Sequence, residues 1–131
     1  MPLLDSYLLD NYLIDGFDKD APLTLLASGS AVASSSTSPV VRFDTQAAWA
    51  SSYNVTVNQN FGTIPKMIIF KRSGLTENIF LRDVKNSLGN SLVTIGNGST
   101  AVTTPDWYVN NSQFRLPVNT QGQTYTWEAY G

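Results

Sequence analysis

The closing stretch QTYTWEAYG, residues 123–131, alternates with a period of two: Tyr125, Trp127 and Ala129 fall on one face, and Thr124, Thr126, Glu128 and Tyr130 on the other. Successive side chains of a strand point to opposite sides of a sheet, so this pattern predicts a strand with one buried and one wetted face. The same grammar recurs upstream. PKMIIFKR (residues 65–72) is a short apolar run between Pro65 and Ser73-Gly74, too short for a comfortable helix. ENIFLRD (77–83) sets Ile79 and Leu81 against Phe80 and Arg82. SLVTIGNGS (91–99) enters an Asn97-Gly98 pair, a strong hairpin signal because both central residues of a type I′ turn need positive φ. TTPDWYVNNSQFRLPV (103–118) reads as two short strands around Asn110-Asn111, and VVRFD (40–44) and YNVTVNQ (53–59) share the period of two. Asp44 is placed to cap a single helical turn in DTQAAWASSY (44–53).

Many short strands without a long amphipathic helix predict an all-β fold, a small antiparallel sandwich of jelly-roll type. The expected core is Ile68, Phe70, Ile79, Leu81, Phe114, Leu116, Tyr125 and Trp127.

The start of the chain is of another kind. LLDSY LLDNY LIDGF, residues 3–17, is three five-residue units, each two aliphatics, an aspartate, a small or polar residue and an aromatic. Five residues reverse the face of a strand and turn a helix by about 500°, so neither geometry collects the apolar side chains into one stripe. A segment apolar all round needs cover, from a partner groove, from sister chains, or from its own β-domain. The first two are favoured, because ASGSAVASSSTSP (27–39) intervenes and its Ser/Ala density suits a tether; an exposed edge strand of small side chains is the alternative. The expected organisation is an extended or short-helical anchoring arm at 1–26, a linker at 27–39 and a β-sandwich at 40–131. The anchor contacts are Leu3, Leu4, Tyr7, Leu8, Leu9, Tyr12, Leu13, Ile14 and Phe17.

Composition narrows the function. The 131 residues contain no cysteine and no histidine, which removes disulfides, thiolate metal sites, a Cys nucleophile and the commonest general base. The formal charge of −2 is divided: Asp5, Asp10, Asp15, Asp18 and Asp20 against Lys19 leave the arm acidic, and the remainder is slightly basic. No basic stripe suited to phosphates is present, which argues against a nucleic-acid partner, and no apolar run is long enough for a membrane span. The first residues lack a basic n-region, so no secretory signal is expected. Asp15, Asp18 and Asp20 do not have calcium-loop spacing, TIGNGS (94–99) lacks the P-loop lysine, and nothing in the sequence pairs Asp83, Asp106 and Glu128, the candidate acids for a carboxylate hydrolase in residues 40–131. No metal and no cofactor is implied. In DWYVNN (106–111), aromatic rings beside amides are the ingredients of a sugar-binding surface, which makes Trp107, Tyr108, Asn110 and Asn111 candidate glycan contacts; the competing reading places these rings in the core.

Residues 60–131 resemble the small C-terminal β-sandwich modules of bacteriophage tail fibres and other virion accessory proteins. The matching positions are Gly62, Pro65, Lys66, Ile68, Ile69 and Lys71 in an opening strand, Phe114 and Leu116 in a late one, and Tyr125, Trp127, Ala129 and Gly131 in the closing one. The resemblance implies a non-enzymatic virion structural protein, a capsid decoration, head or neck fibre or tail-tip component. It also implies self-association, with a trimer favoured, contacts to other virion proteins and synthesis in the host cytoplasm before incorporation. The shortness of the chain favours a decoration or adaptor over a host-reaching fibre.

Overall fold

The computed structural model describes residues 23–96 and 99–131. The described chain is all-β and forms two antiparallel sheets packed face to face. The strands are β1 (Leu25–Val32), β2 (Ser38–Val41), β3 (Ala48–Asn58), β4 (Met67–Arg72), β5 (Leu75–Lys85), β6 (Ser91–Ile95), β7 (Ser99–Val102), β8 (Tyr108–Val109), β9 (Gln113–Val118) and β10 (Thr124–Tyr130). One sheet has the order β1-β10-β4-β5-β6-β7, the other β2-β3-β9-β8. The anchor residues Leu3 to Phe17 and the Asn97-Gly98 pair lie outside the described residues, but the pairing Ile95↔Ser99 joins β6 and β7 into the expected hairpin.

Strands β4 to β7 form a meander. Its first turn is Ser73-Gly74 with φ of 54° and 80°, the left-handed pair that matches strand twist. The closing strand β10 is inserted between β1 and β4. Its alternation works as read: Tyr125, Trp127 and Ala129 are buried, and Thr124 and Thr126 are exposed. Pro117 is tolerated inside β9 because β8 pairs only with Phe114 and Arg115, which leaves that end of β9 without a neighbour on one side. Its carbonyl accepts a 2.9 Å hydrogen bond from Asn78 Nδ2 on the opposite sheet.

The core is an aromatic cluster. Phe114 packs with Phe61 at 5.9 Å, Phe70 at 5.7 Å and Trp127 at 5.4 Å between ring centroids, the last two edge-to-face, an arrangement ring quadrupoles favour. Ile68, Val55, Leu116 and Val93 complete it. At one corner an isolated bridge, Arg42↔Ala101, stitches the two sheets together.

Three expectations change. The Ser/Ala-rich segment does not begin as a tether: Ala27 to Val32 pair residue by residue with β10, so the sandwich starts at Leu25 and the boundaries at 26 and 39 fall inside β1 and β2. Small residues are required there by packing. Gly29 lies opposite Trp127, and a Cβ at Gly29 would stand 3.0 Å from the indole. Ile79 and Leu81 are half-buried on the outward face, while Asn78 and Phe80 point inward, because β5 pairs Phe80 with the core residue Ile68. Finally, Asp44 lies in a turn and not a helix, and β3 follows from Ala48.

These contacts rank substitutions. Phe114→Ala should cost about 3–5 kcal/mol and Gly29→Val about 1–3 kcal/mol by overpacking, whereas Ser28→Val on the exposed face of the same strand should be near neutral. Chemical denaturation of the three variants checks this; equal stability of the Gly29 and Ser28 variants would contradict a packed β1.

Candidate functional site

Two clefts lie outside the aromatic cluster. The first surrounds the DWYVNN segment. Thr104 and Trp107 close a tight turn through reciprocal backbone hydrogen bonds of 3.1 and 3.0 Å, and the Thr104 hydroxyl accepts from Asp106 N at 3.2 Å. This turn drives Trp107 inward to 0 % exposure. Its indole Nε1 donates to Pro39 O at 2.7 Å, and the Arg115 guanidinium lies 5.5 Å from the ring centre. With Val40 and Ala101 it forms a second small core.

Trp107 therefore has no ring face to offer a sugar, which corrects that part of the expected glycan surface. Asn110 is occupied as well: its side-chain oxygen accepts from the backbone N–H groups of Ser112 and Gln113, both at 2.9 Å, and shapes the β8–β9 turn. Tyr108 is half-buried and Asn111 exposed, so these two remain at the surface. The adjoining cleft, about 410 Å³, is lined by Tyr108, Ile64, Phe80, Arg82, Ser91 and Thr103, among others. Its polar groups are largely turned to the protein: Ser91 Oγ donates to Arg82 O at 2.7 Å, the Thr103 hydroxyl accepts from Ser91 N at 3.1 Å, and Arg82 Nε lies 3.0 Å from Asp83 Oδ1. This cleft suits an apolar or aromatic group better than a polar one.

The second cleft, about 200 Å³, lies between the start of β3 and the β6–β7 hairpin. On β3, Tyr53 continues the face that carries Val55 and Val57 into the core, and a shift of register against β2 sets Trp49 and Ala50 together opposite Val40. This stretch of β3, from Trp49 to Tyr53, lines the cleft together with Val40, Ile95, Ser99 and Asn119. Of the three tryptophans only Trp49 is appreciably exposed, at 36 %, against 0 % for Trp107 and 3 % for Trp127. The Arg42 guanidinium lies 5.0 Å from its ring centre. A ring, hydroxyls and an amide around a shallow concavity can stack on an apolar face while bonding polar substituents. Trp49 is not among the expected contacts because DTQAAWASSY suggests a helical turn; its place on a strand is set by the pairing with β2.

The three acids considered for a carboxylate hydrolase occupy separate elements. Asp83 pairs with Arg82 near the end of β5, Asp106 lies in the turn before β8, and Glu128 sits on β10, 3.5 Å from Lys71 Nζ. Among the described residues no group of three or more His, Cys, Asp or Glu is placed to hold a metal ion, and no helix is long and apolar enough to cross a membrane. Two groups have displaced proton affinities. A hydrogen bond to Glu77, together with its charge, raises Arg72, and partial burial raises the Tyr130 phenol, helped by its 3.2 Å hydrogen bond to Glu128. No family model, curated protein or solved structure matches the chain.

Two measurements test this geometry. Acrylamide should quench Trp49 and leave the other two indoles largely protected, so Trp49→Phe should remove most of the quenchable emission; unchanged quenching would place a different indole at the surface. The folded state favours the neutral Tyr130 phenol, so its contribution to stability is fully present below the ordinary tyrosine value of about 10 and is lost as pH rises through its higher folded value. Tyr130→Phe should therefore reduce the loss of stability above that pH, as read by denaturation at stepped alkaline pH.

Proposed function

We propose that this protein is a non-enzymatic structural component of a bacteriophage virion, a decoration, neck or tail-tip protein whose N-terminal arm attaches a displayed β-sandwich to the particle. One observation carries the reading most: the arm leaves from a rigid point. Thr24 N donates to Gly131 O at 3.1 Å and Gly131 N to Thr24 O at 3.0 Å, so the last residue before β1 is pinned to the terminus of β10. A Cβ at Gly131 would come within 2.7 Å of the Leu26 side chain, which shows how closely this corner is packed. Everything N-terminal to it, including the nine anchor residues from Leu3 to Phe17, joins the sandwich at this point. On the particle the arm's apolar side chains are buried by other virion proteins or by sister copies, with a homotrimer favoured.

The test is incorporation. Replacing Leu8, Leu9 and Leu13 together by Asp in the full chain should reduce the protein recovered with assembled particles by about ten-fold or more, since each buried leucine contributes roughly 1.5–3 kcal/mol. The sandwich should unfold at the same denaturant concentration as the parent. Undiminished incorporation of the triple variant would overturn the anchoring role.

A second reading, recognition of host-surface glycan, is favoured by one feature, the half-exposed Trp49 beside Tyr53, Ser51 and Asn119. On this reading titration with cell-wall sugars at millimolar concentration changes Trp49 emission, and Trp49→Ala abolishes the response while leaving the fold intact. Absence of any response across such a panel would remove it.

A further inference from the structure

The six-stranded sheet carries an apolar band on the side facing away from the core. Adjacent pairings place Leu25 beside Tyr130, Tyr130 beside Met67, Met67 beside Leu81, and Leu81 beside Leu92. These five residues form one continuous row across β1, β10, β4, β5 and β6. The neighbouring row adds Ile69 opposite Ile79. None of the seven is fully buried: Leu25 is 56 % exposed and the other six are half-buried. An antiparallel sheet with one solvated face ordinarily alternates apolar-in with polar-out. This sheet keeps that rule at its other end, where Ser30, Thr126 and Lys71 share the outward face, and breaks it in the band.

The band begins at Leu25, two residues beyond the first described residue, Leu23. Chain entering β1 therefore arrives at the corner of the sheet where the row starts. Four inter-strand spacings separate the ends of the row, about 19 Å. Residues 3–17 cross that distance in either regular conformation, about 22 Å as a helix or about 50 Å extended. The seven residues from Asp18 to Thr24 reach up to about 24 Å, enough to reverse the chain, and they include Gly16's acidic continuation DKDAP with its proline. A tether this short gives its own arm a millimolar effective concentration over the band, ahead of any arm from solution.

We propose that the outward apolar band of the six-stranded sheet is the seat of residues 3–17 of the same chain, so that the free protein stows its arm against its own sandwich before the arm engages the particle. The inference rests on the anchoring role of the arm, and adds to it a resting place. Two sets of apolar side chains that water disfavours cover one another in the free protein, and assembly exchanges one cover for another.

The experiment uses the full chain. A benzophenone amino acid in place of Tyr7 or Tyr12 is irradiated in the purified protein, and the cross-linked peptides are mapped. Adducts within the monomer, to the peptides holding Met67, Ile69, Leu81 or Leu92, are expected. In parallel, chymotrypsin cleavage after Tyr7, Tyr12 and Phe17 should accelerate about ten-fold in Met67→Glu and in Leu81→Glu, because cleavage follows the population of the open arm. Denaturation midpoints confirm that the sandwich remains folded. Adducts confined to a covalent dimer would transfer the seat to a second copy and overturn the same-chain assignment. Adducts elsewhere, or equal cleavage rates in parent and both variants, would overturn the seat itself. Neither readout involves particles, so a failure here is distinguishable from a failure of incorporation.

Discussion

The two sheets are held at their working separation by one contact set, the rings gathered around Phe114. Phe114 comes from the four-stranded sheet, Phe70 and Trp127 from the six-stranded one, and Phe61 from the connection between β3 and β4. Edge-to-face geometry between rings tolerates little displacement in a close-packed interior, so the cluster constrains both sheets at once. Its demands extend outward to the edge of the fold. Trp127 is broad enough that the strand beside it must present a glycine, and β1 does so with Gly29. A run of Ala, Ser and Gly that has little reason to fold by itself becomes an edge strand because a large ring requires a thin neighbour.

The same constraint accounts for the clefts. The cluster is central, and beyond it the inner faces continue without matching partners. Along β3 the chain passes from Val57 and Val55, buried in the core, to the half-buried Tyr53 and the exposed Ser51 and Trp49. At the other side the turn from Thr104 to Trp107 folds one aromatic into a second small core and leaves Tyr108 beside the larger cleft. Which tryptophan is presented and which is consumed by packing therefore follows from distance to the aromatic cluster and from the local turn, not from the company each keeps in sequence.

Most strands were legible because their evidence is local. The alternation in QTYTWEAYG, the bounded run PKMIIFKR and the turn pairs Ser73-Gly74 and Asn110-Asn111 each describe a structure that needs only a few neighbouring residues to define. The errors arose where a second element decides. Ile79 and Leu81 have the same alternation as Phe80 and Arg82, and only the pairing of Phe80 with Ile68 selects which set turns inward. Nothing in their immediate neighbours separates Trp107 from Trp49, yet the indole of Trp107 donates to Pro39 O, 68 positions away along the chain, and is buried.

The all-β character, the period of each strand, several of the turns and the poverty of conventional catalytic groups are legible without coordinates, since these depend on residue type and on spacings of two to five. Tertiary structure alone decided the membership of the edge strand, the face that each strand turns to the core and the tryptophan that reaches the surface. It alone, too, assembled five residues spread between positions 25 and 130 into one apolar row. Those outcomes depend on register between strands distant in sequence, and register is selected by the packing of the whole core and not by any segment within it.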